Sequence, residues 1–383
     1  MNDNYHLLLT CTRGFEAIVQ NEAESLGCSN CEIIGGGVRV YANMTSVMRL
    51  CLWSRTVNKV MLELASAYIH KEDDFYILGH TLPLSPWFTA QTTFCIHAHV
   101  NDERFKNPVI LSLKLKDGLV DLMRDKWGCR ASVDTRRPDI ELNLQVIQKK
   151  ARVFLELQGE PLNMRGYRRR QNLAPIRETL AASMIALSGW TPDMAFTDPM
   201  CGSGTFAIEA ALLATNTAPG IQRHFAFEKL PFFSAELKAE WGKMRDEAKE
   251  CAKIGRKRFE GVIYASDIDP AALDIAANNA KTAGIDAFVR FECRDVLELK
   301  PTGGHIMMNP PYGERIRVSG YDLPEFYYQL GRHLRTFPGA CLTIISTPEL
   351  LKKNLHMKPD MRVSTFNGPI TCEVARYALG SRG

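Results

Sequence analysis

Long apolar runs are missing from this sequence: no uncharged stretch free of Pro and Gly approaches the roughly 18 residues needed to cross a bilayer. A secretory leader is not expected either, because Asp3 stands where such a leader needs a basic start, and the protein is expected to be cytoplasmic. Internal repeats and low-complexity tracts are lacking. With 45% of residues hydrophobic and 23% charged, gross disorder is excluded. The 11 cysteines are an odd number scattered from Cys11 to Cys372, which suits reduced thiols better than a disulfide framework. The one CxxC, Cys28 to Cys31, has no second Cys or His pair at metal spacing, so no metal site is expected.

What the chain does have is unevenly placed charge. The net +4 is small, yet between Arg104 and Arg170 there are 16 Lys and Arg against 8 Asp and Glu. The remaining residues therefore sum to about −4. Lys149, Lys150, Arg165, Arg168, Arg169 and Arg170 lie in this stretch, with Tyr167 set among the last cations. Cations interleaved with an aromatic suit phosphate neutralisation and base stacking, and equally a solvated basic face beside a linker.

Periodicity predicts strands over 5–10 and 37–41 around a helix over 15–26, then a strand over 94–100, a helix over 108–126, and two strands over 141–147 and 151–157. After Gly159 long helices alternate with short apolar strands over 194–197, 261–266, 305–308 and 340–346, which implies a parallel sheet. The expected organisation is a first module over 1–158, a basic linker over 159–175 and a second domain over 176–383. A helical insertion over about 215–258, carrying Phe225, Phe227, Phe232, Phe233 and Trp241, is expected to pack on that second domain.

The segment from Thr197 to Ala211 reads as strand, glycine turn and helix. Gly202 and Gly204 allow close backbone approach to a ligand, and the helix start offers free N–H groups. Gly202-x-Gly204-x-x-Ala207 also fits a dinucleotide fingerprint, which leaves a nicotinamide oxidoreductase open, as well as a plain turn. Two further acidic residues, Asp267 and Asp295, follow predicted strands. In a parallel sheet the carboxyl ends of the strands line one crevice, so Asp198, Asp267 and Asp295 should converge on a single adenosyl ligand.

Asn309-Pro310-Pro311-Tyr312 follows the strand over 305–308. Two prolines fix the backbone and aim the preceding carbonyls outward. An aromatic amine is a poor nucleophile because its lone pair is delocalised. Accepting its protons on the Asn309 side chain and the Pro310 carbonyl favours the tetrahedral nitrogen that attacks a methyl group. Tyr312 can stack on the base, as can happen when it is flipped out of its helix.

On these residues the sequence resembles S-adenosylmethionine-dependent class I RNA methyltransferases with an N-terminal THUMP domain, most closely the guanine-N2 methylases of 23S rRNA. The resemblance rests on Gly159 to Arg168, Ala174 to Ala182, Asp198 to Phe206, Ser266 to Pro270 and Asn309 to Arg315. It implies an α/β fold: a Rossmann-like catalytic domain behind an α+β ferredoxin-like and THUMP module that binds RNA. It also implies that Gly202 and Gly204 approach the methionine part of the cofactor, that Asp267 holds the ribose and Asp295 the adenine amine. Asn309, Pro310 and Tyr312 would then grip the target base. The alternatives are tRNA guanine N2, RNA adenine N6, and a non-catalytic RNA-binding module.

Overall fold

The computed structural model describes residues 4–129, 132–168, 176–300, 303–312 and 318–380. Its N-terminal half starts as β1 (Tyr5–Thr10), α1 (Glu16–Ser25), β2 (Ser29–Ile34), β3 (Gly37–Ala42), α2 (Met44–Trp53) and β4 (Lys59–Tyr68), a ferredoxin-like run. It continues through α3 (Asp73–His80), β5 (Phe94–Asn101), α4 (Pro108–Trp127), β6 (Ile140–Ile147) and β7 (Lys150–Glu156). All seven strands form one sheet in the order β2-β3-β1-β4-β7-β6-β5, joined across the β4–β7 pair. The predicted helix over 108–126 is well specified locally: Asn107 accepts from the Val109 and Ile110 N–H groups, Pro108 opens the helix, and Gly128 ends it with φ +68°.

The C-terminal half comprises α5 (Glu178–Ser188), β8 (Phe196–Asp198), α6 (Thr205–Ala214), α7 (Ala235–Arg258), β9 (Ile263–Asp267), α8 (Pro270–Ala283) and β10 (Val289–Cys293). It ends with β11 (Gly304–Met308), α9 (Leu323–Leu334), β12 (Ala340–Ser346), α10 (Pro348–Lys353), β13 (Met361–Asn367) and β14 (Ile370–Ala378). The sheet order is β10-β9-β8-β11-β12-β14-β13, parallel through β12 and closed by an antiparallel hairpin. Such a sheet must be covered on both faces, and the sequence complies. Every residue of α6 from Thr205 to Leu212 is buried.

The aromatic insertion departs from expectation. Phe225, Phe227, Phe232, Phe233 and Trp241 belong to the core of the N-terminal half rather than that of the second domain. Phe232 meets Trp87 edge to face with ring centroids 4.9 Å apart, and Glu240 of α7 accepts a hydrogen bond from Thr45 Oγ1 of α2 at 2.7 Å. The physical reason is that these large aromatics pack on one another and on Trp87, where they bury the most apolar surface. At its far end α7 returns to the catalytic half, where Gly255 lies so close to the Thr215 carbonyl that a Cβ would sit 2.0 Å from its oxygen.

The halves are further joined by a buried polar seam. Arg55 donates from Nη2 to the Leu212 and Thr217 carbonyls at 3.3 and 2.9 Å, and the Gly220 N–H donates to the Leu52 carbonyl at 2.9 Å. Phe15, ahead of α1, is buried in the core of the catalytic half.

Candidate active site

β8 lies between β9 and β11, so the loops leaving these strands share one crevice. The turn after β8 is held by backbone bonds: the Cys201 N–H donates to the Ser266 carbonyl at 2.9 Å and the Gly204 N–H to the Cys201 carbonyl at 2.7 Å. Gly202 and Gly204 have φ of +52° and +81°, a region that disfavours side chains. A Cβ on Gly204 would press to 3.0 Å from the Ala276 Cβ of α8, whereas one on Gly202 would meet nothing within 4 Å. Gly204 thus packs a helix, while Gly202 faces open space where a ligand can approach the backbone. Asn279 of α8, which the sequence did not single out, donates to the Ser203 carbonyl at 3.0 Å and braces the loop.

Three carboxylates stand at neighbouring strand ends, each in a different state. Asp267 accepts from the Gly202 N–H at 2.8 Å through one oxygen and from the Asp269 N–H at 3.0 Å through the other. Asp295 accepts from the Leu297 N–H at 2.9 Å and opens a short turn. Asp198 is fully buried, and neither of its oxygens has a hydrogen-bond partner. The Met200 and Ala207 N–H groups favour its anion but complete no hydrogen bond with it. Burial first, and the nearby Asp267 charge second, hold its pKa well above the usual carboxylate range. Beside the open face of Gly202, such a site suits a ligand with a cationic, hydrogen-donating end and a diol, which is the donor pattern of S-adenosylmethionine.

On the other side of β8, Asn309 follows β11 directly. Its Oδ1 is buried without a partner, again an acceptor awaiting a donor. The rest of the tetrad is braced from behind. Tyr327 donates to the Pro311 carbonyl at 3.2 Å and sits 2.6 Å from Ser346 Oγ, tying the tetrad to α9 and to the end of β12. The Tyr312 hydroxyl accepts from Asn367 Nδ2 at 2.6 Å. Burial pushes the pKa of both tyrosines upward, so both remain neutral phenols. Sequence reasoning missed Tyr327, Ser346 and Asn367, which lie 15 or more residues beyond Tyr312. The Asn367-Gly368 pair signals a hairpin turn but not a contact across the crevice.

The basic stretch divides in two. Arg165, expected on RNA, is only 3% exposed. It pairs with Glu209 of α6 at 3.4 Å and donates to the Leu162 carbonyl at 2.9 Å and to the Arg55 carbonyl. Arg168 pairs with Glu178 at 3.3 Å and donates to Thr205 Oγ1 at 2.7 Å, at the first residue of α6. Both corrections have one cause. Glu209 and Glu178 are themselves buried, and a buried carboxylate draws a cation inward. Tyr167 is buried too and donates to Glu209 at 3.1 Å, so it is not free to stack on a base. Arg169 and Arg170, like Ala174 and the Gly313-Glu314-Arg315 extension of the tetrad, lie outside the described residues. Lys149, by contrast, is exposed in the β6–β7 turn, and Lys150 lies 5.8 Å over the ring of Tyr68, which is 70% exposed.

All 11 cysteines are free. Among the described residues, no helix is long and apolar enough to cross a membrane.

Comparison with known proteins places this geometry. The RMKL-like methyltransferase domain matches residues 165–376, the RlmL ferredoxin-like domain residues 6–61, and the THUMP domain residues 70–156. Among solved structures, SMU.472 in complex with SAH is 26% identical over 100% of both chains with a TM-score of 0.88. A protein from Clostridium difficile 630 is 27% identical over 100% of this chain and 99% of its own, with a TM-score of 0.89. A Listeria monocytogenes str. 4b F2365 protein, described as a predicted N6-adenine-specific DNA methylase, is 25% identical over 98% of this chain and 96% of its own, with a TM-score of 0.86. The chain belongs to the RMKL-like methyltransferase family: it is an S-adenosylmethionine-dependent methyltransferase acting on nucleic acid, with an RlmL-type ferredoxin-like domain and a THUMP domain ahead of its catalytic domain.

Proposed function

We propose that the protein methylates the exocyclic N2 of a guanine in large-subunit (23S) ribosomal RNA. The observation that carries the amine-gripping part of this reading is the buried, unpartnered Oδ1 of Asn309, set directly before two prolines. An amine entering the crevice satisfies that oxygen with one proton and the Pro310 carbonyl with the other. Tyr327 already occupies the Pro311 carbonyl, which leaves the Pro310 carbonyl and Asn309 as the facing pair. Tyr312, steadied by Asn367, stacks on the base. Holding both protons on oxygen pulls the nitrogen lone pair out of the ring and toward the incoming methyl group. Once the new C–N bond makes the nitrogen cationic, one of those protons leaves to solvent.

S-adenosylmethionine, when bound, supplies the electrophilic methyl group. For its binding we assign Gly202 and Gly204 to the methionine end, Asp198 to donors at that end, Asp267 to the ribose hydroxyls and Asp295 to the adenine amine. The THUMP match supports RNA over DNA, and the RlmL-type ferredoxin-like match supports the ribosomal target. The exposed Lys149 and the half-buried Lys150 beside Tyr68 supply phosphate contacts and an aromatic face.

Nucleoside mass spectrometry of rRNA and tRNA from a strain lacking the protein tests the substrate. The expected result is loss of N2-methylguanosine from large-subunit rRNA. Loss confined to tRNA selects a tRNA guanine enzyme, and loss of N6-methyladenosine overturns the guanine assignment.

A further inference from the structure

We infer that the outer edge of the N-terminal sheet carries a zinc site made by Cys95, His97 and Glu141. Among the described residues this is the one group of three His, Cys or acidic side chains whose ligand atoms all lie within 4.8 Å of one another. Cys95 and His97 are two residues apart on β5 and share a face of the sheet. Glu141 stands directly opposite Cys95 on the parallel strand β6. Cys95 Sγ is 3.4 Å from His97 Nε2, and that nitrogen is 3.8 Å from Glu141 Oε2.

Those spacings match a tetrahedral metal. Zinc bonds of about 2.0–2.3 Å to nitrogen, oxygen and sulfur place neighbouring ligand atoms roughly 3.3–3.8 Å apart. A thiolate, an imidazole and a carboxylate are each common zinc ligands, and three protein ligands leave a fourth position for water. The Cys95 thiol gives up its proton to solvent as the Zn–S bond forms.

The surroundings supply a second observation. Asn143, in register with His97, is only 3% exposed, and its Oδ1 has no hydrogen-bond partner. His97, Glu141 and Asn143 line the same open cleft of about 440 Å³. Among the described residues the one lysine on that cleft wall, Lys59, is engaged by the buried Glu156 at 2.7 Å and so offers little repulsion to a metal. A metal here would tie β5, an edge strand, to β6.

The test uses the full-length protein, stripped with a chelator and titrated with zinc against a chromophoric chelator. A single tight site is expected, with zinc raising the melting temperature and with cobalt(II) giving a sulfur-to-metal charge-transfer band. His97→Ala, at a side chain 54% exposed and therefore safe for folding, should weaken zinc by about 100-fold or more and abolish the thermal shift. Cys95→Ser should remove the charge-transfer band. Absence of a 1:1 zinc complex overturns the inference, as does a complex unaffected by His97→Ala or one lost instead on Cys28→Ser with Cys31→Ser.

Discussion

Asn367, at the tip of the C-terminal hairpin, donates its side-chain amide to the hydroxyl of Tyr312 at 2.6 Å, reaching across 55 residues of chain to fix a ring at the mouth of the crevice. Removing the amide leaves a partly buried phenol without that partner, a loss of about 1 kcal/mol or somewhat more.

Asn367→Ala is therefore expected to lower kcat by about tenfold while leaving S-adenosylhomocysteine affinity unchanged. Single-turnover methyl transfer and calorimetry read the two effects separately. A matching fall in cofactor affinity would show that the hairpin supports the whole crevice and not the ring alone.

Gly204→Val should abolish cofactor binding, because φ of +81° disfavours any side chain and the Ala276 Cβ already stands 3.0 Å from where a Cβ would be. Calorimetric titration with S-adenosylhomocysteine is the check. Retained binding, together with a normal melting curve, would remove Gly204 from the cofactor loop.

Asp198 carries a pH signature. Its folded pKa is raised, so the folded state holds a proton that the unfolded chain has lost. The carboxyl's contribution is fully present below the ordinary value near 3.8 and is lost as pH rises toward the folded value. Asp198→Asn, which keeps the shape without the charge, should melt higher than the parent at neutral pH in the absence of cofactor, with the gap closing toward pH 4. Paired thermal melts across that range decide it, and a gap that widened on acidification would reverse the assigned direction.

Arg165→Ala should destabilise the protein by about 3–5 kcal/mol, because it leaves Glu209 buried and unpaired. Replacing both partners together, Arg165→Met with Glu209→Leu, should recover most of that loss. Denaturant unfolding measures both. Full loss in the double variant would mean that the pair's hydrogen bonds to Tyr167 and the Arg55 carbonyl dominate.

Replacing Lys149 and Lys150 by Ala should weaken RNA binding and flatten its salt dependence by about 0.7–0.9 in slope for each phosphate that is no longer neutralised. Filter binding across a salt series would show it. An unchanged slope would return the β6–β7 turn to an ordinary solvated surface.

The parts legible in the sequence were those written in local chemistry. The helix over 108–126 was legible in its periodicity, and the strand over 340–346 has the observed bounds because its apolar run is short and sharply ended. Successive strand ends placed Asp198, Asp267 and Asp295 on one side of the sheet. Partners far apart in sequence were not legible. β2 was missed because its residues are largely exposed and carry no alternation, and Cys95 meets Glu141 only once β5 and β6 lie parallel. Arg165 and Arg168 looked like surface cations because nothing local reveals that Glu209 and Glu178 are buried. The aromatic insertion misled for the same reason: hydrophobic content says that a segment will be covered, not by which half.

That insertion has a consequence for substrate choice. Because α7 carries Trp241 in the N-terminal core and Gly255 against the Thr215 carbonyl of the catalytic half, and Arg165 pairs with Glu209, the span from the Lys149–Lys150 turn to Asn309 is set by protein packing. The molecule then behaves as a caliper. Any RNA that touches both the Lys149–Lys150 turn and Asn309 must therefore span a distance that the protein's packing fixes.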